Sequence, residues 1–139
     1  MEPKYWKEAI LKLKKDDPIL KVVIERNQKN ILKSRKDPFG TVLKSIVGQQ
    51  ISVKAAGSIY KKLLQLLEND ISPRMVLNSD IKALKDSGLS RQKIDYLNNI
   101  SKYFIQNPNI SSNEYFLDAD EETIQSDLII IKGIGPWTI

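Results

Sequence analysis

Apolar residues recur every three or four positions along this chain, the spacing of a buried helix face, and no stretch keeps the period of two expected of a half-buried strand. The first such segment is YWKEAILKLKK at 5–15, with Tyr5, Trp6, Ile10 and Leu13 roughly on one side. Asp17 followed by Pro18 predicts a cap and first-turn proline for a second helix, ILKVVIERN. KSRKDPFG, polar and broken by Pro38, predicts a linker into the main body. There FGTVLKSIV presents Phe39, Val42, Leu43, Ile46 and Val47 as one stripe. Gly48 interrupts it, and Gln49-Gln50 leads to Ser52, the expected N-cap of VKAAGSIYKKLLQLLEN. The small residues Ala55-Ala56-Gly57 permit another helix to approach closely.

Ser72-Pro73 opens a short helix, and Ser79 or Asp80 caps the next, which ends at Gly88 in a C-cap position. Ser90 starts RQKIDYLNNISKYFIQN, whose stripe is Ile94, Leu97, Ile100 and Phe104, and Pro108 terminates it. Asp118 or Asp120 caps EETIQSDLIII, with Glu121 and Glu122 placed to complement the helix dipole. The pattern predicts an all-α fold of about eight short helices. Residues 1–37 form an N-terminal helical segment and linker, and residues 38–139 the main body.

Composition narrows the class. At 139 residues, 41% hydrophobic and 28% charged, the chain can bury a core and is not of disordered type. It has no apolar run near the ~18 residues that span a bilayer, no apolar signal segment and no cysteine, so a cytoplasmic location is expected. The net charge of +5 is unevenly spread. Residues 1–36 hold 11 Lys/Arg against 5 Asp/Glu, residues 37–110 hold 10 against 6, and residues 111–139 hold 1 against 6. A basic body suits a polyanion such as nucleic acid, and equally suits lysine-rich helices that merely solvate a surface.

The stretch KGIGPWTI at 132–139 is more specific. Gly133 and Gly135 can take positive φ or approach another backbone closely, and Pro136 fits the first position of a new helix. The N–H groups of Gly135, Trp137 and Thr138 would then surround a helix start, an arrangement that favours a phosphate. A plain helix connection with a glycine C-cap fits the same residues.

LIIIKGIGPWTI resembles the helix-hairpin-helix of the base-excision DNA glycosylase superfamily, above all its alkylation-repair branch, the DNA-3-methyladenine glycosylase II type. SIVGQQISVKAA at 45–56 and SGLSRQKIDYLNNIS at 87–101 are similar to that branch's other segments, in the family's order, so the likeness covers roughly residues 38–139. The resemblance implies a monofunctional glycosylase hydrolysing the N-glycosidic bond of alkylated purines such as 3-methyladenine in double-stranded DNA, acting as a monomer without a membrane. It implies that Gln49-Gln50 lies at the junction that plugs the space left by an extruded base, with Gln50 or Ile51 as the intruding side chain. It places the phosphate grip at Gly133, Gly135 and their neighbours, including Thr138. A monovalent cation would sit on the carbonyls of Ile129, Ile131 and Ile134, and no other cofactor is required.

Trp137 stands where bifunctional members carry a lysine. An indole cannot form a Schiff base, and its face suits a cationic alkylated base; a core position under the hairpin is the other option for it. The family's catalytic aspartate falls beyond Ile139, so the chain is expected to be the N-terminal part of a longer enzyme and inactive alone. Asp118, Asp120, Glu121, Glu122 and Asp127 read as caps and as the solvated face of their helix. Ile139 stands where the family often has alanine, and a single turn from Pro136 to Ile139 is not stable by itself. A non-catalytic DNA-binding module, an inert fragment, and a helical domain binding tRNA or protein are the alternatives.

Overall fold

The computed structural model describes residue 3, residues 5–31, residue 33 and residues 36–139. Among the described residues there are nine α-helices, one 3-10 turn and no strand, in two compact units, Met1–Lys36 and Asp37–Ile139. Residues 34 and 35 of the expected linker lie outside the described residues.

The first unit pairs α1 (Trp6–Asp16) with α2 (Pro18–Arg26). Asp17 caps α2 as expected, accepting the N–H groups of Ile19 and Leu20 at 2.8 and 3.0 Å. Lys14 Nζ meets Glu25 at 3.2 Å, an exposed ion pair of little energetic weight. Neither helix has a buried residue.

The second unit contains α3 (Pro38–Gly48), α4 (Val53–Leu66), α5 (Pro73–Asn78), α6 (Ile81–Asp86), α7 (Arg91–Gln106), α8 (Asn113–Asp118) and α9 (Glu121–Ile129). Each start carries a cap that satisfies otherwise unpaired N–H groups. Asp37 accepts from Gly40, Ser52 from Ala55, Ser72 from Met75, Asp80 from Ala83, Ser90 from Lys93, Ser112 from Tyr115 and Asp120 from Thr123. The expected stripes are the core. Phe39, Val42, Leu43, Ile46 and Val47 of α3 and Ile94, Leu97, Ile100 and Phe104 of α7 are all buried, with α5 and α6 also packed on α7. Phe39 and Phe104 meet edge to face with centroids 5.3 Å apart. Burying one such side chain stabilises the fold by roughly 1.5–3 kcal/mol. Gly88 ends its helix at φ +104°, as a C-cap glycine should.

Some expectations change. The 3-10 turn Pro108–Ser111 and the six-residue α8 lie where the periodicity predicts no element. They are held by local contacts: Ile110 is buried, and the Tyr115 and Phe116 rings meet edge to face. Ala55 and Gly57 are exposed, and a methyl built on Gly57 would meet no atom within 4 Å, so no helix of the second unit packs on that small-residue face. Asp127 is only partly exposed: its carboxylate accepts the Tyr115 hydroxyl and ties α9 to α8.

Burial, with the Asp127 carboxylate close by, pushes the Tyr115 phenol up to about 12. A phenol whose folded pKa is raised adds stability that is complete below its unfolded value near 10 and is lost as pH climbs through about 12. Stability is therefore expected to fall across that alkaline window. Tyr115→Phe should flatten the fall when denaturant midpoints are measured at stepped pH; a slope identical to the parent's would refute the contribution.

Candidate nucleic-acid interface

The site forms where α3 hands over to α4 and where α9 ends. α3 stops at Gly48, and Gln49 follows in extended conformation, φ −56° and ψ 131°. Its Nε2 donates to the Gly133 carbonyl at 3.1 Å and lies 3.5 Å from Thr138 Oγ1. One amide thus ties the junction to the C-terminal hairpin. Gln50, the next residue, is exposed at φ +57°. A non-glycine residue in this left-handed region costs on the order of 1–3 kcal/mol and is a mark of functional positions. Ile51 is also exposed. Within the expected plug, then, Gln49 is turned inward as a tether, while Gln50 and Ile51 face solvent.

Three residues of α7 hold this arrangement. Lys93 Nζ donates to the Val47 carbonyl at 2.6 Å, meeting one of the unpaired carbonyls at the end of α3, and burial lowers the pKa of its amine. The Tyr96 ring packs against Gly133, so closely that a Cβ there would lie 2.4 Å from Tyr96 Cγ. Asn99 Nδ2 reaches the Lys132 carbonyl at 3.4 Å. Sequence reasoning missed all three, because two of their partners are backbone carbonyls far away in the chain. Their spacing of three places them along one edge of α7 beside its apolar stripe, and that was the available signal.

The hairpin turns through Ile131, whose N–H returns to Leu128 at 3.1 Å, and Ile134, whose N–H donates to the Ile131 carbonyl at 2.9 Å. Gly133 takes φ +111°, so of the two glycines only this one uses the left-handed region. Gly135 does not, and a methyl built on it would meet nothing within 4 Å. The Thr138 N–H donates to the Gly135 carbonyl at 2.8 Å, closing a single turn where a helix start was expected. The Thr138 amide is therefore occupied. Among the described residues the N–H groups of Gly135 and Trp137 make no hydrogen bond. Trp137 is fully exposed, at 101%, with no described residue covering its indole.

The carbonyls of Ile129, Ile131 and Ile134 fit a monovalent cation chemically. Ile129 ends α9, where carbonyls lack helical partners and the dipole is negative, and Ile131 keeps a lone pair beyond its bond to Ile134. Such an ion would supply fixed positive charge to the turn. Among the acidic residues of this region, Asp120 and Asp127 have hydrogen-bond partners, while Asp118, Glu121 and Glu122 are exposed. Asp120 caps α9, and the Thr123 amide lowers its pKa. Glu121 and Glu122 stand in the first turn of α9, and Asp118 ends α8. No group of three or more His, Cys, Asp or Glu among the described residues could hold a metal.

Residues 43–138 match the family described as HhH-GPD superfamily base excision DNA repair protein. The chain belongs to this superfamily. It is 29% identical over 136 residues to the DNA-3-methyladenine glycosylase of Saccharomyces cerevisiae, covering 88% of this chain and 46% of that protein. DNA-3-methyladenine glycosylase 1 of Schizosaccharomyces pombe is 29% identical over 107 residues, covering 76% of this chain and 46% of the relative. The structure of the Schizosaccharomyces pombe 3-methyladenine DNA glycosylase (Mag1) in complex with abasic DNA superposes with a TM-score of 0.81 at 26% identity, covering 94% of this chain and 66% of that one. The chain spans about half the length of the curated relatives it matches.

Proposed function

We propose that these residues form the DNA-gripping part of a monofunctional glycosylase of base-excision repair, one that hydrolyses the N-glycosidic bond of alkylated purines. The observation that carries this reading is the Gln49 bridge, which sets an exposed, left-handed Gln50 beside a hairpin with free N–H groups at Gly135 and Trp137. Those amides suit a backbone phosphate, and the flat Gln50 amide suits the gap left by a flipped base. Its neighbour Ile51 adds an apolar edge to the same wedge. Trp137 offers an indole face to a cationic base and no amine for Schiff-base chemistry, which supports base release without strand nicking. The named relatives are 3-methyladenine glycosylases, and one is seen on abasic DNA, which supports duplex DNA with alkylated bases as the partner. The cation at the Ile129, Ile131 and Ile134 carbonyls, a monomeric state and a location with the cellular DNA belong to the same proposal. No helix among the described residues is long and apolar enough to cross a membrane.

Anisotropy titration of residues 1–139 with a duplex bearing an abasic-site analogue and with its undamaged counterpart tests the reading. Salt-sensitive binding that prefers the abasic duplex is expected. Failure to bind either duplex would overturn it. Gln50→Gly is expected to act in opposite directions, stabilising the free protein by about 1 kcal/mol through relief of the left-handed backbone while erasing the preference for abasic DNA. Retained preference in that variant would remove Gln50 from the wedge.

A further inference from the structure

A groove of about 620 Å³ runs along the outer flank of α7 next to the hairpin. Arg91 and Lys102 line it from α7 and Lys132 from the hairpin, with Asp95, Tyr96 and Asn99 between them. The two sides are fixed to each other, since Asn99 reaches the Lys132 carbonyl and the Tyr96 ring packs on Gly133. Among the described residues, Arg91, Lys102 and Lys132 form no ion pair, and Asp95 shares the groove without pairing to any of them. Lys132 is the one cation of residues 111–139, which otherwise carry six acidic side chains. The fold places it beside two more cations rather than beside those carboxylates.

Arg91 and Lys102 lie eleven residues apart on one helix. At ~1.5 Å per residue that is roughly 16 Å, or about five steps of a DNA strand at ~3.4 Å each. Three cations outside any ion pair over that length, one of them in the hairpin that carries the free amides, match a run of phosphates better than a single small anion. We propose that this groove is a second DNA-backbone contact, carrying the phosphates that continue past those held by the hairpin. The proposal rests on the DNA-binding reading above and extends the footprint to the flank of α7.

The test measures affinity for the abasic-analogue duplex between 50 and 200 mM salt for the full 139-residue chain and two double variants. Each phosphate contact contributes about 0.9 to the slope of log affinity against log salt. Arg91→Gln with Lys102→Gln is therefore expected to lower the slope by about 1.8 and to weaken binding more at 50 than at 200 mM. Lys61→Gln with Lys62→Gln, an equal charge loss on exposed positions of α4, should leave the slope as it is. A parent that binds while the groove variant keeps its slope, or an equal fall in both variants, overturns the groove and leaves the DNA reading standing. A parent that does not bind at all overturns both. Circular dichroism of each variant separates loss of contact from loss of fold, and a groove variant that proves unfolded is replaced by Lys102→Gln alone, with an expected fall of about 0.9.

Discussion

Replacing Gly133 with alanine is expected to lower stability by about 3 kcal/mol, the sum of backbone strain and overpacking. At φ +111° an L-residue is strained whatever the space around it, and here the new methyl would also sit 2.4–2.7 Å from Tyr96 ring and Cβ atoms. The turn cannot move away freely, because the Gly133 carbonyl holds the Gln49 amide. Weakened DNA binding is expected as well, since hairpin and junction share that bond. The two causes separate in a double-mutant cycle. Tyr96→Ala removes the ring but leaves its Cβ 2.7 Å from the new methyl, so it should recover only part of the overpacking loss, while the strain persists. A Gly133→Ala protein with the parental urea midpoint would show that the turn is not built as described.

Phe104→Ala is expected to cost about 3–5 kcal/mol, a large share of the ~5–15 kcal/mol that holds a domain together. Phe104 is fully buried near the end of α7, against the Phe39 ring of α3. Removing it leaves a cavity that helices fixed at several other points cannot collapse to fill. Because Lys93, Tyr96 and Asn99 project from the same helix, loosening α7 should disturb the junction and the hairpin together. Phe104→Leu keeps an apolar filler and should cost under about 1.5 kcal/mol. Equal midpoints for the alanine and leucine variants would deny α7 this central role.

The helices of the second unit were legible because their signals are local. Ser52, Ser72, Ser90 and Asp120 announce helix starts through their own side chains, and the α3 and α7 stripes follow from spacing alone. The short α8 was not legible, since six residues carry too little periodicity and its place depends on Tyr115 finding Asp127. At the site, the glycines, glutamines and tryptophan could be picked out, but not what each does there. Gln49 and Gln50 are the same residue type, and only the fold shows that one reaches a carbonyl 84 positions away while the other turns into the left-handed region. Gly133 and Gly135 differ likewise, one pressed on a tyrosine ring and the other open.

The Gln49–Gly133 bond also dates the assembly of the site. It closes a loop of 84 residues, a longer closure than the 65 between Phe39 and Phe104 and far longer than the three-residue caps. Contacts of long sequence separation bear the larger closure entropy and form late. The bridge requires α9 to have delivered Gly133 to the junction after α3. A refolding chain is thus expected to regain helix and core before it regains the hairpin, so that the proposed phosphate grip would be the last property to appear and the first to be lost on heating.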